Sequence, residues 1–265
     1  MKKRIVITGM GVLAAIGQNP DEFWKNCLEA KTRVERIPDH WLYYGDFHSQ
    51  IWSPLPPIDY SAYGIGRIEE KQLDPSSLIA IACSFQALDS AGLEYTKLDQ
   101  KRNTYSIPSL DSERTGVFMG TGIAGLGTFA SCYSYHLLMR QKEALAKASA
   151  QLGDHPAGAA LKQIQDRMLY PRRFNPFAVS MTMPNACSAN VAIKFSLRGS
   201  NNAYCVACAS GTVAIGHGFK AVRSGELDVA LVGGVEHLSD EYGGIFAGFD
   251  AVRALATRND EPDKA

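Results

Sequence analysis

The stretch Ala203-Tyr204-Cys205-Val206-Ala207-Cys208-Ala209-Ser210-Gly211-Thr212 limits what this chain can fold into more than any other. Its first half is a short apolar run suited to a buried strand. Its second half opens through small residues into Thr212-Val213-Ala214-Ile215-Gly216-His217-Gly218-Phe219, which reads as helix. Cys208 therefore falls at a strand-to-helix corner. There the positive end of the helix dipole and its free N–H groups favour the thiolate, the reactive form of cysteine. The other reading of the corner is a small buried thiol, the usual fate of a free cysteine.

Similar transitions recur along the chain. Lys3 to Thr8, with β-branched Ile5-Val6-Ile7, predicts a buried strand, turned by Gly9-Met10-Gly11 towards a helix over Asp21–Ala30 with acidic residues in its first turn. From Thr32 to Gln72 no period is sustained and the chain reads as a long irregular excursion. Asp74-Pro75 then gives a helix start, a capping carboxylate followed by proline at the first helical position. Leu78, Ile81, Ala82, Phe85 and Leu88 follow at helical spacing, and Gly92 closes the helix. Arg114 to Met119 reads as a strand leading into Gly120-Thr121-Gly122-Ile123-Ala124-Gly125, and a polar helical stretch runs from about 133 to 168. Asn185 to Leu197 reads as an apolar helix closed by Gly199, and Leu227 to Val232 as a last strand entering Gly233-Gly234. This order of strands and helices argues for an α/β layered fold with mainly parallel connections.

Charge narrows the partners. Lys plus Arg and Asp plus Glu both number 27, so no basic excess points to nucleic acid. Docking of a small acidic protein needs only a local basic patch; Arg172 with Arg173, and Lys220 with Arg223, are the candidates. The six cysteines lie in apolar contexts without the spacing of a secreted disulfide framework, which fits a reducing cytoplasm. The basic, apolar start superficially looks like a signal peptide. Its β-branched run and two interrupting glycines favour strand and turn instead, and no later segment is long and apolar enough to span a membrane.

Three motifs offer chemistry other than that of Cys208 alone. Gly120 to Gly125 is a formal G-x-G-x-x-G between strand and helix, the context of a dinucleotide site, but no acidic residue follows at the end of a second strand. Close backbone packing is its other explanation. Cys205 and Cys208 form a C-x-x-C, yet in a strand residues three apart face opposite sides, against a redox pair. His40 and His48 lack further ligands at metal spacing and read as surface residues, so no metal site is expected.

Val206-Ala207-Cys208-Ala209-Ser210-Gly211, Ala214-Ile215-Gly216, Ser224 to Gly234 and Arg253-Ala254-Leu255-Ala256-Thr257-Arg258-Asn259-Asp260 closely resemble the elongating β-ketoacyl-acyl-carrier-protein synthases of the thiolase-like fold. The opening Lys3 to Gly11 and the glycine segment Gly122 to Gly127 are similar to the same family. The resemblance implies that residues 1–265 form the N-terminal half of such a synthase, a mainly parallel sheet flanked by helices, with an excursion at 32–72 and a helical insertion at about 133–168. It implies that Cys208 accepts an acyl group from the phosphopantetheine of an acyl carrier protein, for decarboxylative condensation with a malonyl-type extender in fatty-acid or polyketide synthesis, with no resident cofactor. By the same resemblance the Cys208 N–H is one oxyanion donor. Ile123, Val179 and Phe249 match the acyl-pocket lining, and each residue type equally suits ordinary core. The family's two histidines, lysine and second oxyanion donor belong to a C-terminal half beyond Ala265. His217 and His237 match none of them. A homodimer, or a heterodimer with a related subunit, is implied too. Two alternatives stand beside this reading: a noncatalytic subunit that shapes a synthase's acyl tunnel, a class that typically lacks the nucleophile, and a C-x-x-C redox protein.

Overall fold

The computed structural model describes residues 4–168 and 174–264. Arg172 and Arg173 of the expected basic patch lie outside the described residues.

Helix α1 (Pro20–Leu28) is capped by Asn19 and carries Asp21 and Glu22 in its first turn, as expected. The excursion is irregular but not unstructured. It contains the short antiparallel ribbon β1 (Glu35–Arg36) and β2 (Ile51–Trp52), then α2 (Arg67–Gln72). Helix α3 (Pro75–Ser90) starts where the sequence places it, with the Asp74 carboxylate accepting from the Ser76 N–H at 2.9 Å. A second ribbon, β3 (Thr96–Asp99) with β4 (Thr104–Ser106), precedes the central strand β5 (Thr115–Gly120). Next come α4 (Leu126–Leu152), α5 (Pro156–Arg167), α6 (Ala178–Met181), α7 (Ala186–Lys194), β6 (Asn201–Tyr204), α8 (Ser210–Ser224), β7 (Val229–Gly234) and α9 (Gly244–Ala251).

The main sheet among the described residues has the order β6-β5-β7, all parallel, with Gly120 paired to Tyr204 on one side and to Gly234 on the other. Every residue of β5 is buried, because helices cover both its faces. Val117 and Met119 face a core built with Ile81 and Phe85 of α3 and Val191 of α7, beside Phe195, whose ring centroid is 4.7 Å from that of Phe85. Phe118 points the other way, to Ala214 and Ala221 of α8 and to Leu227. The period-2 alternation of β5 thus makes it the middle layer of an α/β/α stack, the class expected from the sequence.

Four sequence expectations need correction. Residues 4–8 form no strand, and Val6 and Ile7 are 62% and 81% exposed. β-branched residues favour a strand only where a neighbouring strand supplies hydrogen bonds, and none of the described strands reaches this segment. The stretch that follows is held on α3 instead, where the Val12 N–H donates to Gln86 Oε1 at 2.8 Å. The strand before Cys208 ends at Tyr204 and is an edge strand, so Cys205 to Cys208 are exposed rather than buried. Helix α7 stops before Phe195 and not at Leu197, because Ser196, three residues ahead of the expected closing Gly199, takes a left-handed φ of 53°. The polar stretch is a helical hairpin that begins at Leu126 and breaks at Gly153, whose φ is 53°.

Candidate active site

In a parallel sheet every strand delivers its C-terminal end to the same edge, and ligands bind there. Here that edge gathers three connections: Thr121–Gly125 after β5, Cys205–Ala209 after β6 and Val235–His237 after β7. They are bonded to one another. The Thr121 N–H donates to Tyr204 O at 3.0 Å, and the Val235 N–H to Gly120 O at 2.9 Å.

Cys208 stands at the tip of the middle connection, exposed, two residues ahead of the first turn of α8. The turn is tight. Ala207, the residue before the thiol, has φ 49°, a left-handed conformation that costs a non-glycine residue about 1 kcal/mol or more. Ser210 holds it. Its Oγ accepts from the Val206 N–H at 2.7 Å and lies 2.7 Å from Ala207 O and 3.1 Å from Thr121 O, its two available acceptors, while its own N–H donates to Ala207 O at 3.1 Å. Helix α8 can sit this close to the strand ends because Gly120 faces the Ser210 backbone and Gly211 faces Gly234; a Cβ on Gly120 would overlap Ser210. The positive end of a 15-residue helix thereby begins two residues after an exposed cysteine.

The glycine loop shows what the formal dinucleotide motif is for. Glu236 enters it from the β7 side. Its Oε2 accepts from the Gly122 N–H at 2.5 Å and the Ile123 N–H at 3.0 Å, and its Oε1 accepts from the Thr121 hydroxyl at 3.2 Å. Paired N–H groups at a glycine-rich turn are where a phosphate would bind. This pair is already occupied by a carboxylate of the chain itself, which repels a second anion. Close packing is the glycines' other task, since Gly125, with φ 66°, lies against the Met181 and Thr182 backbone of the α6 segment.

The structure places the anticipated lining residues unequally. Ile123 is next to the corner: the Cβ position of neighbouring Gly122 is 3.8 Å from Ala207 Cα, and Ile123 itself is 46% exposed. Val179 lies on α6, the segment that Gly125 touches, and is 77% exposed. Phe249 lies on α9, 37% exposed. All three are surface residues, not core. A cavity of about 880 Å³ opens nearby among Trp41, Trp52, Cys132, Phe177, Met181 and His237, but neither Cys208 nor any of those three lines it. Burial holds His237 below the usual histidine range, with Asp74 and Glu236 acting in the opposite sense. His40, His48 and His217 are exposed; His217 stacks on Tyr204 with ring centroids 4.6 Å apart. Cys205 and Cys208 are both free. No cluster of metal-ligating side chains exists among the described residues. Ser210 and Glu236 escaped sequence reasoning. Glu236 had a legible signal as the first charged residue after the Gly233-Gly234 that ends β7.

An exposed cysteine on a strained turn, at the carboxyl edge of a parallel sheet and just ahead of a helix, defines an α/β protein that presents a free thiol where such sheets bind ligands. Comparison with known proteins narrows that class to one family. Residues 2–265 match the family described as Beta-ketoacyl synthase, N-terminal domain, and the chain belongs to it. It is 30% identical over 264 residues to the 3-oxoacyl-[acyl-carrier-protein] synthase 2 of Vibrio harveyi, an alignment covering 100% of this chain and 52% of that one. The synthase 2 of Staphylococcus aureus strain COL is 29% identical over 97% of this chain and 51% of its own. A crystal structure of a beta-ketoacyl synthase from Burkholderia phymatum superposes with TM-score 0.67 and 26% identity, covering 100% of this chain and 53% of that one. The ishigamide ketosynthase/chain length factor shares the fold with TM-score 0.64 at 20% identity, over 97% of this chain and 52% of that one. The chain spans about half the length of the curated relatives it matches.

Proposed function

We propose that this chain provides the acyl-accepting half of a β-ketoacyl-acyl-carrier-protein synthase. The observation that carries the reading is Cys208, exposed on its turn at the head of α8 in a chain that matches the family's N-terminal domain from residue 2 onwards. The Cys208 thiolate attacks a thioester carbonyl, with the Cys208 N–H stabilising the oxyanion. A new C–S bond forms and the old one breaks. The carrier's pantetheine thiolate departs and takes up a proton, leaving an S-acyl cysteine. Ile123, Val179 and Phe249 offer apolar surface to the acyl chain. Carbon–carbon bond formation with a malonyl-type extender belongs to the complete synthase, in fatty-acid or polyketide synthesis, with the substrates carried on phosphopantetheine and no cofactor held by this chain.

An acyl carrier protein is the substrate-delivering partner in this reading. A neighbouring structure, 20% identical with TM-score 0.63, is a polyketide acyl-carrier protein in complex with its ketosynthase. A dimer with a second copy or a related subunit, in the cytoplasm, completes the proposal. Among the described residues no helix is long and apolar enough to cross a membrane. The presence of Cys208 disfavours the tunnel-shaping subunit.

Incubation with an acyl-carrier thioester followed by peptide mass spectrometry tests the reading. We expect the acyl mass on the peptide containing Cys208, and none after Cys208→Ala, with the melting temperature within about 2 °C because the side chain is exposed. An adduct on Cys205 in place of Cys208 would overturn the assignment.

A further inference from the structure

We infer that Glu236 is a positioning residue for acyl-chain discrimination, acting by fixing the backbone on which Ile123 stands. The inference rests on the synthase reading of the same site.

The loop from Thr121 to Gly125 connects a rigid strand to a long helix, and its wall residue, Ile123, projects from a segment containing Gly120, Gly122 and Gly125. Glycines remove backbone restraint, so something else must fix where the Ile123 side chain points. Intrinsic packing does not do so, since Ile123 is 46% exposed. The Glu236 carboxylate does. It takes the N–H of Ile123 itself, the N–H of Gly122 before it and the Thr121 hydroxyl before that, three bonds to three successive residues. Thr121 is also tied to the nucleophile's turn, through its carbonyl oxygen 3.1 Å from Ser210 Oγ. One carboxylate thus registers the chain-lining wall against the residue that holds Cys208 in place. Hydrogen bonds to a charged acceptor are the strong kind, and a displacement of wall atoms by an ångström is enough to change chain preference. Glu236 touches neither thioester nor thiol in this scheme, so it positions and does not catalyse.

The test uses the full 265-residue chain and S-acyl pantetheine thioesters carrying butyryl, octanoyl and palmitoyl groups. The readout is the ratio of Cys208 acylation rates between the best and the poorest of them. Glu236→Ala should reduce that ratio about tenfold, the equivalent of losing one charged hydrogen bond. Glu236→Gln, which retains an oxygen for the two N–H groups, should restore most of it. In an Ile123→Ala background Glu236→Ala should change the ratio no further, because the wall it positions is gone. Should Glu236→Ala not fold, Glu236→Asp takes its place, with a carboxylate one methylene too short to reach both N–H groups. A ratio left intact, with every acylation rate lowered by one common factor, would show a merely structural strap and overturn the inference while the synthase reading survives. Wild-type chain acylated without chain preference also overturns the inference alone. Failure of the wild-type chain to be acylated at Cys208 by any of the three overturns both.

Discussion

Cys187 sits in the core between α3 and α7, where the Ser77 hydroxyl approaches its sulfur at 3.8 Å, and burial pushes its thiol up to about 12. Cys83, on α3, is raised to about 11 for the same reason. At pH 8 a thiol at 12 is ionised in about one molecule in ten thousand, so both should be inert. Cys27, Cys205 and Cys208 are exposed. A brief pulse of iodoacetamide at pH 8 should therefore label these three and spare Cys83 and Cys187, which should become reactive only in denaturant. Labelling of Cys187 in the native chain at the rate of Cys27 would contradict the burial argument. The sequence singles out Cys208 by its strand-to-helix corner and its family resemblance, but six cysteines in similar apolar company give no ranking of burial. What distinguishes Cys208 is the left-handed Ala207 before it and the Ser210 hydroxyl behind it, and backbone handedness at an alanine leaves no trace in composition.

Between elements, the most consequential contact is also one that residue patterns hide. Lys194 closes α7 inside the protein, 2% exposed, with its Nζ 2.8 and 3.1 Å from the two oxygens of Glu69 on α2 and 3.1 Å from Gly64 O. Burial pulls the Lys194 ammonium below its usual range, and the Glu69 bonds act against that pull. Glu69 also accepts from the Gly66 N–H and from Asn103, so one carboxylate joins α2, the β3–β4 ribbon and α7. Removing one partner of such a pair strands a buried charge. Glu69→Ala should cost about 3 kcal/mol in urea unfolding. Asp228→Ala, which breaks the exposed pair of Asp228 with Arg114, should cost about 1 kcal/mol or less. Equal losses would refute the distinction. Elements whose residues act locally were legible: α3 carries its own cap and proline, and β5 its own apolar run. The opening strand is not formed because β-branched residues report a preference that only a neighbouring strand can satisfy, and the burial of Lys194 has no sequence signal because α7's spacing carries no mark of the glutamate 125 residues away.

Across the whole molecule, the excursion at 32–72 is tied to the far end of the chain. Ile37, Trp41 and Phe47 form a small core of their own, closed by Phe246 of α9, whose ring centroid is 5.6 Å from that of Trp41. Asp250, 4% exposed at the end of α9, accepts from the His48 N–H at 2.8 Å and the Ser49 N–H at 2.9 Å. Asn259 continues the seam, accepting from the Gln50 N–H at 2.7 Å and donating to His48 O at 2.8 Å. An irregular segment without period thereby fixes the helix that carries Phe249 through contacts that span some 200 residues. Burial pushes the Asp250 carboxyl up, and the Ser49 and His48 N–H groups outweigh it, so the net shift is below the ordinary carboxylate value of 3.8. A depressed carboxylate stabilises the fold above its unfolded value, and that contribution disappears as pH falls through the lower folded value. Asp250→Asn sets an amide where two N–H groups need an anion, and should lose about 2 kcal/mol at pH 7. Its deficit against wild type should shrink as pH falls below about 4 and the wild-type carboxyl takes up its proton, and its excursion should be cut sooner by limited proteolysis at pH 7. Unfolding of both proteins in urea across this range gives the deficit directly; one that stays constant with pH would mean that shape at position 250, and not the carboxylate charge, holds the excursion to α9.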